Sequence, residues 1–398
     1  YGQELGGSTG PRYFGFVQGG TTPAALAGDW LASTFDLNLI APGSSAAPEV
    51  EVETLALVRE LMGLPDTFTG SFVSGATLSN FVGLACARQW VAERLGVDVA
   101  EQGLHALGPL TTLSASPHSS VLKALSMLGM GRASLVRVGQ QAGREALDVD
   151  ALRSRLDALG GRPCIVVASA GTVNTGDYDD LEAVGALKER YPFWLHVDGA
   201  FGGLVACAPS LAHLTRGLGL ADSVTVDAHK WLNVPYDSAL QFTRHPELLR
   251  AVFRNGAAYL DVQAGPPAFS DLGPENSRRF RALPAWMSLM AYGRAGYQDI
   301  LERDCALARR LGALLESSPE FTLLAPVRLN IVCFTLKRPE GVTSRDVQTF
   351  LDALREQVKL LQSQLGELQA RTAPAPGSAA DPDIKRLPAA PAPPTTVE

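Results

Sequence analysis

The 398-residue sequence has few of the features that place a chain outside the ordinary globular classes. It contains five cysteines, with no CxxC pair and no metal-ligand spacing among them. It also has no basic run and no apolar stretch of 18 residues, and its net charge is −7. Because nucleic acids and membranes are bound through clustered basic residues or long apolar helices, both kinds of partner are disfavoured.

The first residues, "YGQELGGSTGPRYFGF", form neither the basic nor the apolar region of a secretion signal. Unpaired cysteines of this number are typical of small buried residues in a reducing compartment. The sequence therefore predicts a cytoplasmic protein, and its hydrophobic fraction of 46% is in the normal globular range.

Short apolar runs alternate with amphipathic segments between about residues 50 and 245. Residues 164–170, 193–200 and 223–229 are predicted strands, and residues 151–160 and 179–191 are predicted helices. This alternation predicts an α/β domain with a mostly parallel mixed sheet that is buried on both faces. We assign residues 1–45 to an N-terminal arm and residues 46–276 to the large domain.

The chain changes character after a Pro/Gly-rich loop at residues 263–276. A long helix and the strands "FTLLAP" and "NIVCFTL" predict a smaller C-terminal α+β domain over residues 277–371. That domain ends in a heptad helix, which is either one amphipathic helix or a coil that binds a partner. Residues 372–398 are rich in Pro and Ala and predict a disordered tail. The heptad positions are Val347, Leu351, Leu354, Val358, Leu361, Leu365 and Leu368, opened by the capping pair Thr343 and Asp346.

The segment "ADSVTVDAHKWLNVPYD" (221–237) places Lys230 directly after a β-branched run that predicts a buried strand. Lysine is rarely buried because its ammonium group loses hydration there. Lys230 therefore needs a compensating partner, or it is not a simple ammonium group.

Other predicted strands also end in polar residues, at the edge of an open α/β sheet where ligands bind. "HVDGAFGG" places Asp198 before a run of small residues, and "SASPHSS" places His118 at a strand-to-helix turn. "SFVSGATLSN" carries Gly75, Ala76 and Thr77 into a helix, and such a helix N-terminus binds anions. Each pattern alone is also typical of turns and helix caps.

Together these segments require a ligand with a phosphate, a flat ring, a basic ring nitrogen and an aldehyde, and pyridoxal 5′-phosphate has all four. Lys230 would hold the cofactor as a Schiff base, and Asp198 would keep the ring nitrogen protonated. His118 and Ala200 would cover the two ring faces. Ser169 or Thr172 would reach the ring hydroxyl or the substrate carboxylate. The phosphate would be bound by Gly75, Ala76, Thr77 and His229.

These motifs resemble those of the group II pyridoxal-phosphate-dependent amino acid decarboxylases of fold type I. The resemblance covers residues 11–337 and rests on "SGATLSN", "SPHSSVLKAL", "ASAGTVNTG", "HVDGAFGG" and "DAHKWLNVPYD", with "RRFRALPAW" and "PRYFGF" as further similar segments. It implies a lyase of amino acid (carboxylic acid) metabolism that converts an L-amino acid to an amine and CO2 with Lys230, His118 and Asp198 as catalytic residues. It also implies a homodimer, and it places Asp227 where many members carry an asparagine near the phosphate.

Other functions stay open at this point. An aminotransferase, a desulfurase or an aldehyde-forming decarboxylase would use the same cofactor. A non-catalytic pyridoxal-phosphate-binding protein is a further alternative, because the heptad helix stands where the family's small domain usually continues with strands and an arginine. In the aromatic branch of the family, a loop tyrosine donates a proton after CO2 leaves. The spacing to the paired arginines puts Phe269, which has no proton to donate, at that position, and Tyr259 or a residue of the partner subunit is the alternative donor.

Overall fold

The computed structural model describes residues 7–10, 13, 15–39, 45–255 and 269–337, together with residues 345, 346, 348, 349, 352, 353 and 356. The chain divides into two compact units, residues 1–336 and 337–398. The predicted heptad positions and the Pro/Ala tail lie outside the described residues. The predicted domain boundary at residue 276 stays a prediction.

A mixed seven-stranded sheet forms the centre of the first unit, as far as the chain is described. Its order is β1-β7-β6-β5-β4-β2-β3, with β7 antiparallel to both of its neighbours and the remaining pairs parallel. Strands β4, β5 and β6 are buried along their whole length, which a sheet covered on both faces requires. The predicted α/β class with a mostly parallel mixed sheet is confirmed. The strands are β1 Thr69–Val73, β2 Thr112–Ser114, β3 Leu135–Arg137, β4 Cys164–Ser169, β5 Phe193–Asp198, β6 Ser223–Asp227 and β7 Ala239–Thr243.

Helices cover this sheet and begin where the sequence provides a cap. The side chains of Thr22, Asp148 and Asp180 accept backbone N–H groups at the starts of three helices. The third of these is shorter than predicted, because residues 187–189 tighten into a 3₁₀ turn ahead of Pro192. The helices are α1 Pro23–Phe35, α2 Ala47–Leu61, α3 Ala76–Arg94, α4 Val99–Gln102, α5 Ser119–Met127, α6 Val149–Ala158, α7 Leu181–Ala186, α8 Pro246–Phe253 and α9 Ala282–Ser317.

Helix α3 packs on the sheet itself, whereas helix α9 packs on two other helices. Helix α3 packs across β5, β6 and β7, and most of its residues are buried. Helix α9 packs on α1 and α2 and changes direction at Gly293, whose φ of 59° is in the left-handed region. It leads to an antiparallel pair of short strands, β8 Phe321–Leu323 and β9 Phe334–Leu336.

Candidate active site

One cavity of about 550 Å³ lies where β4, β5 and β6 end and where α3 and α5 begin. Parallel strands of an open sheet bring polar residues together at their carboxyl ends, so this is where the predicted site should lie. All eleven predicted cofactor-binding residues line this cavity, although their roles stay predictions. They are Gly75, Ala76, Thr77, His118, Ser169, Thr172, Asp198, Ala200, Asp227, His229 and Lys230.

Lys230 is compensated by a carboxylate in this structure. Its Nζ lies 3.2 Å from Oδ2 of Asp227, the last residue of β6. The other carboxylate oxygen of Asp227 accepts the backbone N–H of Ala76 at 2.7 Å. Asp227 thus joins the lysine to the N-terminal end of α3, where the helix dipole favours negative charge.

His229 lies next to this ion pair and is largely buried. Its Nδ1 is 3.0 Å from the carbonyl oxygen of Ser238, and its Nε2 is 3.4 Å from Asp227. Its ring packs on Tyr236 with the centroids 4.3 Å apart. Burial lowers the pKa of His229, while the charge of Asp227 opposes that shift. The imidazole is therefore held in place by three neighbours.

Asp198 ends β5, and its carboxylate is fixed by two donors. Oδ1 accepts the N–H of Ala200 at 3.3 Å, and Oδ2 accepts Nδ2 of Asn80 at 3.0 Å. Asn80 lies in α3 and is fully buried. Asn80 is part of the motif "SFVSGATLSN", but no role was predicted for it. Its only signal there was an amide in a mostly apolar stretch of helix.

His118 is the N-cap of α5 and lines the same cavity. Its Nδ1 accepts the backbone N–H of Ser120 at 3.2 Å and lies 2.8 Å from the hydroxyl of that residue. The sequence left open whether His118 is a cap or a ligand-facing residue. In the structure the His118 side chain does both: it caps α5 and it lines the cavity.

Ser169 and Thr172 were alternatives for a single contact, and their hydroxyls are engaged to different degrees. Thr172 donates to Glu145 and accepts the N–H of Asp177 at 3.0 Å. The Ser169 hydroxyl has a longer contact, 3.3 Å to the carbonyl oxygen of Ser116. Ser169 is therefore the better placed of the two to bind a ligand.

The segment before α1 also contributes to the site. The sequence indicated it only as a stretch similar to the family, and no site residue was predicted there. Phe16 and Val17 line the cavity, and the N–H of Gly19 donates to the carbonyl of His229 at 3.1 Å. A Cβ added to Gly19 would lie 2.0 Å from the carbonyl oxygen of Lys230. Only glycine allows the two backbones to approach this closely.

Phe269, at the predicted loop position, does not line this cavity. It is buried, its ring centroid lies 4.7 Å from the guanidinium of Arg278, and it lines a different cavity beside α2 and β1. Its equivalence to the loop tyrosine of the family stays a prediction. Tyr259 lies outside the described residues.

The cysteines are unpaired, and none lines the cavity around Lys230 as far as the structure describes it. Four are buried, whereas Cys333 is only half-buried, so the expectation of five core positions was wrong for that residue. It directly precedes the short strand β9. Burial raises the pKa of Cys164 to about 12. A thiolate near the ring, which a desulfurase needs, is absent from the described residues.

Among the described residues, no group of His, Cys, Asp and Glu side chains could hold a metal ion. No helix in the described part of the chain is long and apolar enough to cross a membrane. A cytoplasmic location stays a prediction.

The residues of the cavity suit pyridoxal 5′-phosphate in chemical type. The start of α3, with the hydroxyl of Thr77, provides an anion site, and Lys230 provides a primary amine. Asp198 provides a carboxylate, held by two neutral donors, of the kind that pairs with a protonated ring nitrogen. These three groups share one cavity, as one ligand with a phosphate, an aldehyde and a pyridine ring requires.

Comparison with known proteins gives the same assignment. Residues 5–337 match the model of the pyridoxal-dependent decarboxylase conserved domain. An aromatic-L-amino-acid decarboxylase from Bacillus atrophaeus is 30% identical over 332 residues, which cover 81% of this chain and 67% of that protein. A 4-hydroxyphenylacetaldehyde synthase from Rhodiola rosea is 26% identical over 348 residues, covering 84% and 70%.

Solved structures agree with the sequence relatives. The structure of Oryza sativa TDC with PLP and tryptamine superposes with a TM-score of 0.75 at 27% identity, covering 82% of this chain and 70% of that one. Mouse CSAD gives a TM-score of 0.76 at 26% identity, covering 82% and 68%. The fold, the cavity and the family match agree. The chain belongs to the group II pyridoxal-phosphate-dependent amino acid decarboxylases, which are carboxy-lyases of fold type I.

Proposed function

We propose that this protein decarboxylates an L-amino acid to the corresponding amine and CO2, with pyridoxal 5′-phosphate attached to Lys230 as a Schiff base. The observation that carries the proposal is the convergence of Lys230, Asp198 and the N-terminus of α3 on one cavity. Bound pyridoxal 5′-phosphate supplies an electron sink for the bond between Cα and the carboxylate. The protein supplies orientation and charge.

Each residue of the cavity has a task that follows from its contacts. Lys230 must lose a proton before its amine reacts with an aldehyde, and Asp227, 3.2 Å away, is the acceptor within reach. Asp198 holds a proton on the ring nitrogen through its negative charge. His118 covers one ring face, and Ala200 contributes a small, flat surface at the other. Thr77 and the start of α3 bind the phosphate.

Aromatic L-amino acids are the first substrates to test. Phe16, Val17 and Phe201 give one side of the cavity an apolar wall, and apolar walls bind aromatic side chains by removing their surface from water. The Bacillus atrophaeus relative is named for that substrate class. Carbon dioxide release measured across the twenty amino acids would identify the substrate. Release from none of them would favour the non-catalytic alternative.

The attachment of the cofactor has a separate test. Borohydride reduction of the holoenzyme, followed by peptide mass spectrometry, should place the cofactor mass on Lys230. The Lys230→Ala variant should show no such adduct. Lys123 is an exposed lysine on α5, and the Lys123→Ala variant serves as the matched control and should be labelled like the wild type. Label on Lys123, or on no lysine, would overturn the assignment.

An aldehyde-forming decarboxylase is the second candidate. It is supported by the relative that is named a 4-hydroxyphenylacetaldehyde synthase and by the position of Phe269 away from the cavity. In that reaction the substrate, dioxygen and water give an aldehyde, CO2, ammonia and hydrogen peroxide. Quantifying the amine and the aldehyde in one reaction mixture distinguishes the two activities. A peroxide yield equal to the CO2 yield would establish the second.

A homodimer is also proposed. Helix α1 exposes an apolar face that a monomer would leave in water, and such faces mark protein interfaces. An obligate interface typically buries more than about 2,000 Å². Light scattering at micromolar concentration should report twice the chain mass of 42.1 kDa, and a monomer that still holds cofactor would refute the dimer. The exposed residues of α1 are Leu26, Trp30, Leu31 and Phe35.

A further inference from the structure

Asn80 lies at the centre of a buried hydrogen-bond network behind the cavity. Its Nδ2 donates to Oδ2 of Asp198 and to the hydroxyl of Ser120, both at 3.0 Å. Its Oδ1 lies 2.9 Å from Nε2 of His196 and accepts the Thr225 hydroxyl at 2.8 Å. An amide has two donor hydrogens and two acceptor lone pairs, so Asn80 is fully satisfied. A fully satisfied buried amide has one orientation only.

The direction of every bond follows from Asp198. A carboxylate can only accept, so Asn80 must turn its NH2 group toward Asp198 and its oxygen toward His196. Nε2 of His196 therefore carries a hydrogen, and Nδ1 accepts from the Ser223 hydroxyl at 2.7 Å. Burial lowers the pKa of His196 to about 4, against the opposing charge of Asp198. His196 is thus a neutral imidazole with a defined tautomer.

The same amide also reaches the start of α5. Asn80 donates its second N–H to the Ser120 hydroxyl, which lies 2.8 Å from Nδ1 of His118. The backbone N–H of Ser120 donates to the same Nδ1 at 3.2 Å, so His118 keeps a donor without Asn80. Asp198 is therefore the proposed cofactor contact whose side chain Asn80 holds directly.

We propose that Asn80 is a positioning residue that holds the Asp198 carboxylate as an oriented hydrogen-bond acceptor without neutralising its charge. The inference rests on the proposed function, which gives Asp198 its task beside the cofactor. An arginine or lysine at this position would also hold the Asp198 carboxylate but would neutralise its charge. A neutral amide donor holds it and leaves the charge to act on the ring nitrogen.

Three variants separate the branches of the network. Asn80→Leu keeps the approximate size but removes both donors and both acceptors, so Asp198 loses its donor from α3. Asn80→Ser keeps a single hydroxyl and tests the same amide with less risk to folding. Ser120→Ala removes the hydroxyl that Asn80 and Nδ1 of His118 both contact, and it keeps the bond between Asn80 and Asp198. The control is Ser114→Ala, which also loses one buried hydrogen bond, 2.7 Å to the carbonyl of Val167, but does not touch the network.

The measurement uses the holoenzyme. The Asn80 variants should lose kcat about 10- to 100-fold, the worth of a hydrogen bond to a charged group, with KM changed less than kcat. The pH midpoint of the visible absorbance of the bound cofactor should also shift, whereas Ser120→Ala and Ser114→Ala should keep the wild-type midpoint. Unchanged midpoint and kcat in the Asn80 variants would overturn the proposal. Borohydride labelling of Lys230 in each variant shows separately whether the proposed function itself holds.

Discussion

The stability of this protein should fall between neutral and mildly acidic pH because of a single buried histidine. His196 is fully buried in β5, and burial lowers its pKa from 6.5 to about 4. In the unfolded chain the same imidazole binds a proton near pH 6.5. Between these two values the unfolded state binds more protons than the folded state, so stability is present above pH 6.5 and is lost as pH falls.

The size of the effect follows from the two pKa values. The gap between 6.5 and about 4 corresponds to roughly 3 kcal/mol once both states are protonated. The change from pH 7 to pH 5 covers only part of the interval between the two pKa values. The free energy of unfolding should therefore fall by about 2 kcal/mol over this range. Gln at position 196 can donate to Asn80 and accept from Ser223 but cannot titrate. The stability of the His196→Gln variant should therefore lack the pH dependence that the imidazole contributes.

The assay is urea unfolding of cofactor-free protein at pH 7 and pH 5, at one fixed protein concentration. Other titrating groups contribute to both proteins, so the result is the difference between the wild type and His196→Gln. His213→Gln, which replaces an exposed histidine, is the matched control and should behave like the wild type. Equal pH dependence in the wild type and His196→Gln, within about 0.5 kcal/mol, would refute the assignment of His196 as a buried neutral imidazole.

Three further predictions concern the walls and the support of the cavity. Gly19→Ala places a methyl group 2.0 Å from the carbonyl oxygen of Lys230, so the dissociation constant of the cofactor, measured by fluorescence titration, should rise about tenfold; an unchanged constant would contradict the close approach. Arg278→Met removes the buried partner 2.8 Å from Glu51 and should cost about 3–5 kcal/mol in urea unfolding, most of which Glu51→Leu should restore in the double variant. A single variant that loses less than about 1 kcal/mol would show that the pair is not structurally important. Asp198→Ala should retain cofactor but lose turnover by several orders of magnitude, and near wild-type turnover would assign the charge to another group.

The residues that face the cavity could be predicted from sequence because their signals are local. A strand that ends in a polar residue, or a Gly-rich turn that opens a helix, is visible within about ten residues, and the sheet brings such ends to one edge. All eleven predicted residues line one cavity for that reason. Lys230 was predicted to need a compensating group, and in this structure Asp227 provides it.

The residues behind the cavity could not be predicted in the same way. Asn80 is bonded to partners 116 and 118 positions away, His196 and Asp198. The role of a buried amide or imidazole depends on the groups to which it is hydrogen-bonded. A single sequence does not show which distant residues lie within hydrogen-bond distance. The order of the strands in the sheet could not be predicted for a similar reason, because β7 pairs with β1 across more than 160 residues of chain.

Helix α3 packs against several other elements at once. These contacts limit which of its residues can be substituted. Its Gly83 lies against His196, where an added Cβ would come within 2.6 Å of the ring. The outer wall of the cavity includes Arg137, Gln140, Val173 and Asn174, which belong to a short strand end and to loops. Loops tolerate substitution far better than packed helices do. An engineer who wants a new amino acid accepted by this scaffold should therefore randomise these four wall positions and keep the sequence of α3 unchanged.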